Sequence, residues 1–202
     1  MRTILGFIVF IFSYTTSMAQ AARFDGGLFI GGVTSQVSGD GLGGWNKFGF
    51  AAGAFVKMNF SDRWGTVLSM HYTMKGSAKP ADPKNNDFDQ FSYRLNYIDV
   101  PVMLEYRQKQ LLVHAGPYVG VLVSQQQDYN GSKSNPSPLF ETLDIGGTFG
   151  VGYMMGEKLG VEFRGQTSMI PTRPAPNVTN TWSYYEQGNY NQVLLFLVSY
   201  SL

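Results

Sequence analysis

Ser69 and His71 lie two residues apart, and Glu105 follows further along the chain. A hydroxyl, an imidazole and a carboxylate are the parts of a nucleophile, its general base and the group that orients that base. Residues two apart on an extended strand share a face, so Ser69 and His71 could meet. Acyl hydrolysis or transfer on a lipid is the chemistry such a set could perform. Metal chemistry has less to work with. His71 and His114 are the only histidines, Cys is absent, and no carboxylate cluster is spaced around either imidazole, so neither a metal nor a cofactor is expected. The run Gly146-Gly147-Thr148-Phe149-Gly150-Val151-Gly152 has the composition of a phosphate loop, but no Gly-Lys-Ser/Thr and no helix pattern follow it. Two larger sets remain. Lys57, His71, Lys75, Asp99, Glu105, Asp144, Glu162 and Arg164 could satisfy one another as ion pairs. Trp182, Tyr184 and Tyr185 (with Tyr190), and Phe88 and Phe91 (with Tyr93), stand in segments rich in Pro, Asn and Asp, where stiff aromatic loops could bind a partner or anchor a rim in a membrane interface.

What these residues can do depends on the elements that carry them. Between residues 48 and 74, Phe48, Phe50, Ala52, Ala54, Val56, Met58 and Phe60 alternate with smaller or polar residues. After Ser61-Asp62-Arg63 the alternation resumes with Trp64, Thr66, Leu68, Met70, Tyr72 and Met74. A period of two on both sides of a short turn predicts a long β-hairpin. The same rule predicts strands near 24–37, 93–106, 111–124, 141–155, 158–169 and 190–202, which makes eight. Along these strands one face is apolar (Ile98, Val100, Val102, Leu104; Val119, Val121, Val123; Phe196, Val198). The other carries glycines and the whole charged set. The expected fold is an all-β, eight-stranded antiparallel up-and-down transmembrane β-barrel, because backbone groups in hydrocarbon must all be paired and only a closed barrel achieves that with strands. Ser69 and His71 then face the lumen, away from lipid, and polar lumen filling is the preferred reading over catalysis. Eight strands enclose a space that side chains can fill, so the opposite charges are expected to pair and plug it, which gives a non-enzymatic barrel.

Residues 1–19 read as a signal peptide: Arg2, an apolar run from Ile4 to Phe12, and the small residues Ser17 and Ala19 before a cleavage site. Nine apolar residues fall well short of the roughly 20 that a spanning helix needs. The barrel domain is then 20–202. Without Arg2 the 15 basic residues become 14, equal to the 14 acids, so nothing in the charge favours nucleic acid. Charged residues make up 14% of the chain against about 25% in soluble domains, as a lipid-facing exterior requires. Connections alternate in length: 61–63, 107–110 and 156–157 are tight, whereas 38–46, 76–92, 125–140 and 171–188 are long. In an outer-membrane barrel this places both termini and the short turns in the periplasm and the long loops outside the cell.

The stretches Tyr97-Ile98-Asp99-Val100-Pro101-Val102-Met103-Leu104-Glu105-Tyr106 and His114-Ala115-Gly116-Pro117-Tyr118-Val119-Gly120-Val121-Leu122-Val123 resemble the paired fourth and fifth strands of PorT-type outer-membrane β-barrel proteins of Bacteroidota. The resemblance implies outer-membrane lipid and the barrel assembly machinery as partners. Because some members are associated with type IX secretion and gliding, it also implies other outer-membrane or secretion proteins. It carries no catalytic motif onto these positions. The chain departs from barrel habit at its end, Tyr200-Ser201-Leu202, where an aromatic last residue is usual. The readings set beside this one are a small-barrel lipid-modifying enzyme and a barrel that binds a small ligand.

Overall fold

The computed structural model describes residues 23–174 and 188–202. The expected signal peptide, residues 1–19, and the loop aromatics Trp182, Tyr184 and Tyr185 lie outside the described residues. Within them run eight long strands: β1 (Arg23–Ser38), β2 (Lys47–Asn59), β3 (Trp64–Lys79), β4 (Phe91–Gln108), β5 (Leu111–Tyr129), β6 (Leu143–Met154), β7 (Leu159–Ser168) and β8 (Gly188–Ser201). Each pairs antiparallel with its neighbour in the chain, and β8 returns to β1 from Gly27↔Ser201 to Ser38↔Tyr190, closing the ring. Closure removes the unpaired edges that an open sheet would present.

The period of two sorts the side chains. Phe48, Phe50, Val56, Met70, Val102, Leu104, Phe196 and Val198 are exposed on the outside, while Lys57, His71, Lys75, Asp99, Glu105 and Asp144 are buried within. A water-soluble barrel would have the reverse arrangement; an apolar outer wall suits acyl chains. Exposed aromatics Phe60, Trp64, Tyr153 and Tyr200 ring the end that carries the tight turns, where a girdle would sit at the interface.

The structure departs from the sequence expectation in three places. First, β3, β4 and β5 extend beyond the expected hydrophobic span: Lys79 pairs with Phe91, and Phe91 in turn with Tyr129. A ladder outside hydrocarbon needs only backbone pairing, so its polar side chains show no period. Phe91 is therefore a strand residue rather than a loop residue, its ring 4.8 Å from that of Tyr93 and 6.3 Å from that of Tyr129. Second, Tyr190 belongs to β8 and is buried, not part of an external aromatic cluster. Third, the lumen is not polar all round. Phe29 and Val33 of β1, Ala51 of β2 and Val193, Leu195 and Leu197 of β8 form a buried apolar wall, so β8 is apolar on both faces and shows no alternation.

Candidate functional site in the lumen

Asp99 of β4 lies in register with Gly120 of β5, and Gly120 with Asp144 of β6. Two carboxylates thus flank a residue without a side chain, and the long arm of Lys75 from β3 fills the space between them. Its Nζ donates to Asp99 Oδ1 at 2.9 Å and to Asp144 Oδ2 at 3.0 Å, with all three side chains fully buried. The ammonium also lies 4.6 Å from the Tyr97 ring centre and 4.8 Å from that of Tyr118, within cation–π range. Asp144 accepts further hydrogen bonds from Ser168 Oγ (2.7 Å), Asn191 Nδ2 (2.9 Å) and Tyr118 Oη (3.1 Å). Buried charges survive only when paired and hydrogen-bonded, and this layer meets that condition with groups from six strands. Gly120 is required here: a Cβ on it would stand 2.4 Å from Asp99 Oδ1.

A second network lies nearer the turn end. Lys57 of β2 pairs with Glu105 of β4 across β3. His114 Nε2 is 2.9 Å from Glu162 Oε1, and Arg164 Nε donates to the same oxygen at 2.5 Å. The histidine reaches over Gly150, whose Cβ would stand 2.2 Å from its Nε2. Gly146 and Gly150 of the 146–152 run therefore make room for the lumen side chains of Tyr118 and His114. At the loop end Arg173 lies over the Phe140 ring at 4.7 Å and the Tyr93 ring at 5.2 Å, with Nη1 donating to Tyr93 Oη at 3.2 Å. In the adjoining loop, burial pushes the Asp40 carboxyl above its ordinary value, against the opposing pull of the Leu42 amide that it accepts.

The structure places all eight residues of the charged set in the lumen and divides seven of them between these two layers. His71 stands between the layers: its Nε2 is 3.8 Å from Asp99 Oδ2, and its ring meets Phe29 edge-on at 5.3 Å. The nucleophile set does not assemble. Ser69 Oγ and both His71 nitrogens have no hydrogen-bond partner, and Glu105 is engaged by Lys57 rather than by His71. Of the aromatic candidates, Phe88 is exposed in the loop between β3 and β4, while Phe91 is packed as described. Tyr97, Tyr118, Ser168 and Asn191 around Lys75, and Arg173 at the cap, were not anticipated as part of a charge network. The signal for Tyr97, Tyr118 and Ser168 was their parity with Asp99, Gly120 and Arg164 on the same strands.

Residues 18–172 match the family model described as the outer membrane protein beta-barrel domain, well over half of the chain. The chain belongs to that family. No curated protein sequence matches it. Among solved structures, the barrel is similar to Ail, the attachment invasion locus protein of Yersinia pestis, with a TM-score of 0.53 at 13% identity over 89% of this chain and 99% of that one. Ail in complex with the heparin analogue sucrose octasulfate gives 0.50 at 12% identity over 89% and 99%. Neisserial surface protein A gives 0.51 at 13% identity over 91% and 100%. At such identities the likeness concerns the fold, an eight-stranded outer-membrane barrel.

Proposed function

We propose that this outer-membrane barrel is a non-enzymatic structural or docking component, its lumen plugged and its contacts made from outside the ring. In this reading the termini and short turns face the periplasm and the long loops face outward. The barrel assembly machinery folds the chain, outer-membrane lipid surrounds it, and other outer-membrane proteins dock on it. The observation that carries the reading is the Lys75–Asp99–Asp144 layer, a dry set of ion pairs from three strands with aromatic rings on the ammonium. A lumen built to pass solutes would not hold its charges in mutual contact. The resemblance of 97–106 and 114–123 to PorT-type proteins supports a Bacteroidota origin and a type IX secretion assembly as the setting. Purification of the tagged full chain from gently solubilised, cross-linked outer membranes tests the reading. A stoichiometric set of outer-membrane or secretion proteins is the expected outcome. Recovery of the barrel alone, after cross-linking that captures known neighbours of a control barrel, would overturn the docking role.

A further inference from the structure

We propose that the lumen at the turn end is a binding pocket for a small organic anion, a carboxylate carried on an apolar body, with Arg164 as its anchor. The inference goes beyond the docking role and does not depend on which assembly the barrel joins. Below the Lys75 layer the ring leaves a cavity of about 300 Å³, at the lower end of the range of small-molecule sites. Its rim carries Glu157, Lys158 and Leu202, and the ion-paired layer above closes its far end, so a ligand would enter and leave at the turn end.

The walls have two characters. Phe29, Phe55 and Met103 supply an apolar side. Beside Phe29, whose ring centre is 5.7 Å from the guanidinium carbon, stands Arg164, almost wholly buried: Nε donates to Glu162, while Nη1 is buried and has no hydrogen-bond partner. Arg107, also on the cavity wall, is partly exposed with its Nη2 4.0 Å from Glu105 Oε1, while its Nε is buried without a hydrogen-bond partner. A charged donor without an acceptor is costly, and a native structure that keeps one needs a reason. Four carboxylates line the cavity, and none of them is placed on Arg164 Nη1: Glu105 is taken by Lys57, with Arg107 Nη2 4.0 Å away, Glu162 by His114 and Arg164 Nε, Asp25 accepts from Asn59, and Glu157 stands at the rim. The unmet demand at the two guanidinium groups is thus for acceptors. A planar guanidinium with a free edge is matched best by a planar carboxylate. An apolar body on the carboxylate would lie against Phe29, Phe55 and Met103.

The test is calorimetry on the full chain folded in lipid nanodiscs, with empty nanodiscs as the partitioning control. Three ligands of one shape are compared: phenylbutyrate, phenylbutyramide and phenylbutylamine. Phenylbutyrate should saturate one site per barrel and bind at least about tenfold more tightly than the amide, the scale of a charge-assisted hydrogen bond. Leu112→Trp, at an inward position near the mouth, should abolish the binding without disturbing the ion pairs, and Arg164→Gln should reduce the carboxylate to the affinity of the amide. Equal binding of the three ligands, binding unchanged by Leu112→Trp, or no saturable binding of phenylbutyrate at millimolar concentration would each overturn the proposal. The ligand comparison and Leu112→Trp keep it refutable even where Arg164→Gln does not fold.

Discussion

Replacing Lys75 with Met removes the cation held between Asp99 and Asp144 and leaves two buried carboxylates facing each other across Gly120. Breaking a buried ion pair from one side costs about 3–5 kcal/mol, and here one ammonium serves two partners, so a loss of about 4 kcal/mol or more is expected. The two carboxylates should not share the cost equally. Asp144 keeps donors from Ser168, Asn191 and Tyr118, whereas Asp99 loses its Lys75 hydrogen bond and its Oδ2, 3.8 Å from His71 Nε2, has no hydrogen-bond partner. Adding Asp99→Asn to Lys75→Met should therefore restore more than half of the loss, about 2 kcal/mol or more, while Asp144→Asn should restore less than about 1 kcal/mol, since it disrupts three good hydrogen bonds as it removes the charge. Urea unfolding of the three variants in lipid vesicles, followed by tryptophan fluorescence and by the mobility difference between folded and boiled samples, measures these differences. The reasoning is refuted if Lys75→Met costs less than about 1 kcal/mol, or if Asp144→Asn rescues it better than Asp99→Asn.

Gly120→Ala should destabilise the barrel by about 1–3 kcal/mol, because its Cβ would meet Asp99 Oδ1 at 2.4 Å, whereas Gly32→Ala, with nothing within 4 Å, should stay within about 0.5 kcal/mol in the same unfolding assay. Phe196→Arg, on the outer wall near the middle of β8, should cost about 2–4 kcal/mol in vesicles if that wall faces hydrocarbon, and almost nothing if it faces water. In the loop between β3 and β4, the hydrogen bond from Lys79 holds the Asp87 carboxyl below its ordinary value. A depressed carboxylate contributes its tether fully above the ordinary carboxylate range and loses it as pH falls through the folded-state value. The protection of the amides across Asp82–Asp87, taken relative to the intrinsic exchange rate at each pH, should accordingly fall on acidification, and the fall should be absent in Asp87→Asn.

The hairpin from β2 to β3 was legible because both faces were marked: Phe48 to Phe60 outside, with Lys57 and then His71 and Lys75 inside. Register was not. That Asp99 and Asp144 flank Gly120, and that Lys57 reaches Glu105 across β3, follows from how neighbouring strands are staggered, which a period of two leaves open. The bounds of β3 to β5 were missed because Gly76–Lys79 and Gln125–Tyr129 pair outside the apolar band and so lack alternation. The register shift between Asn96 and Tyr97 had no sequence mark at all. β8 concealed its inward face by being apolar on both sides, and with it the apolar wall of Val193, Leu195 and Leu197. The nucleophile set was tested by the same geometry: shared parity brought Ser69 and His71 to one face without joining them, and Glu105 went to the nearer cation.

Conductance of the purified, folded barrel in planar bilayers bears most directly on whether the ring is filled by its own side chains. With the Lys75 layer intact, the membrane should show no stable current steps above the lipid baseline at moderate voltage and physiological salt. Large, long-lived single-channel steps from the unaltered protein would mean that the lumen is open, and the plugged barrel would have to be abandoned.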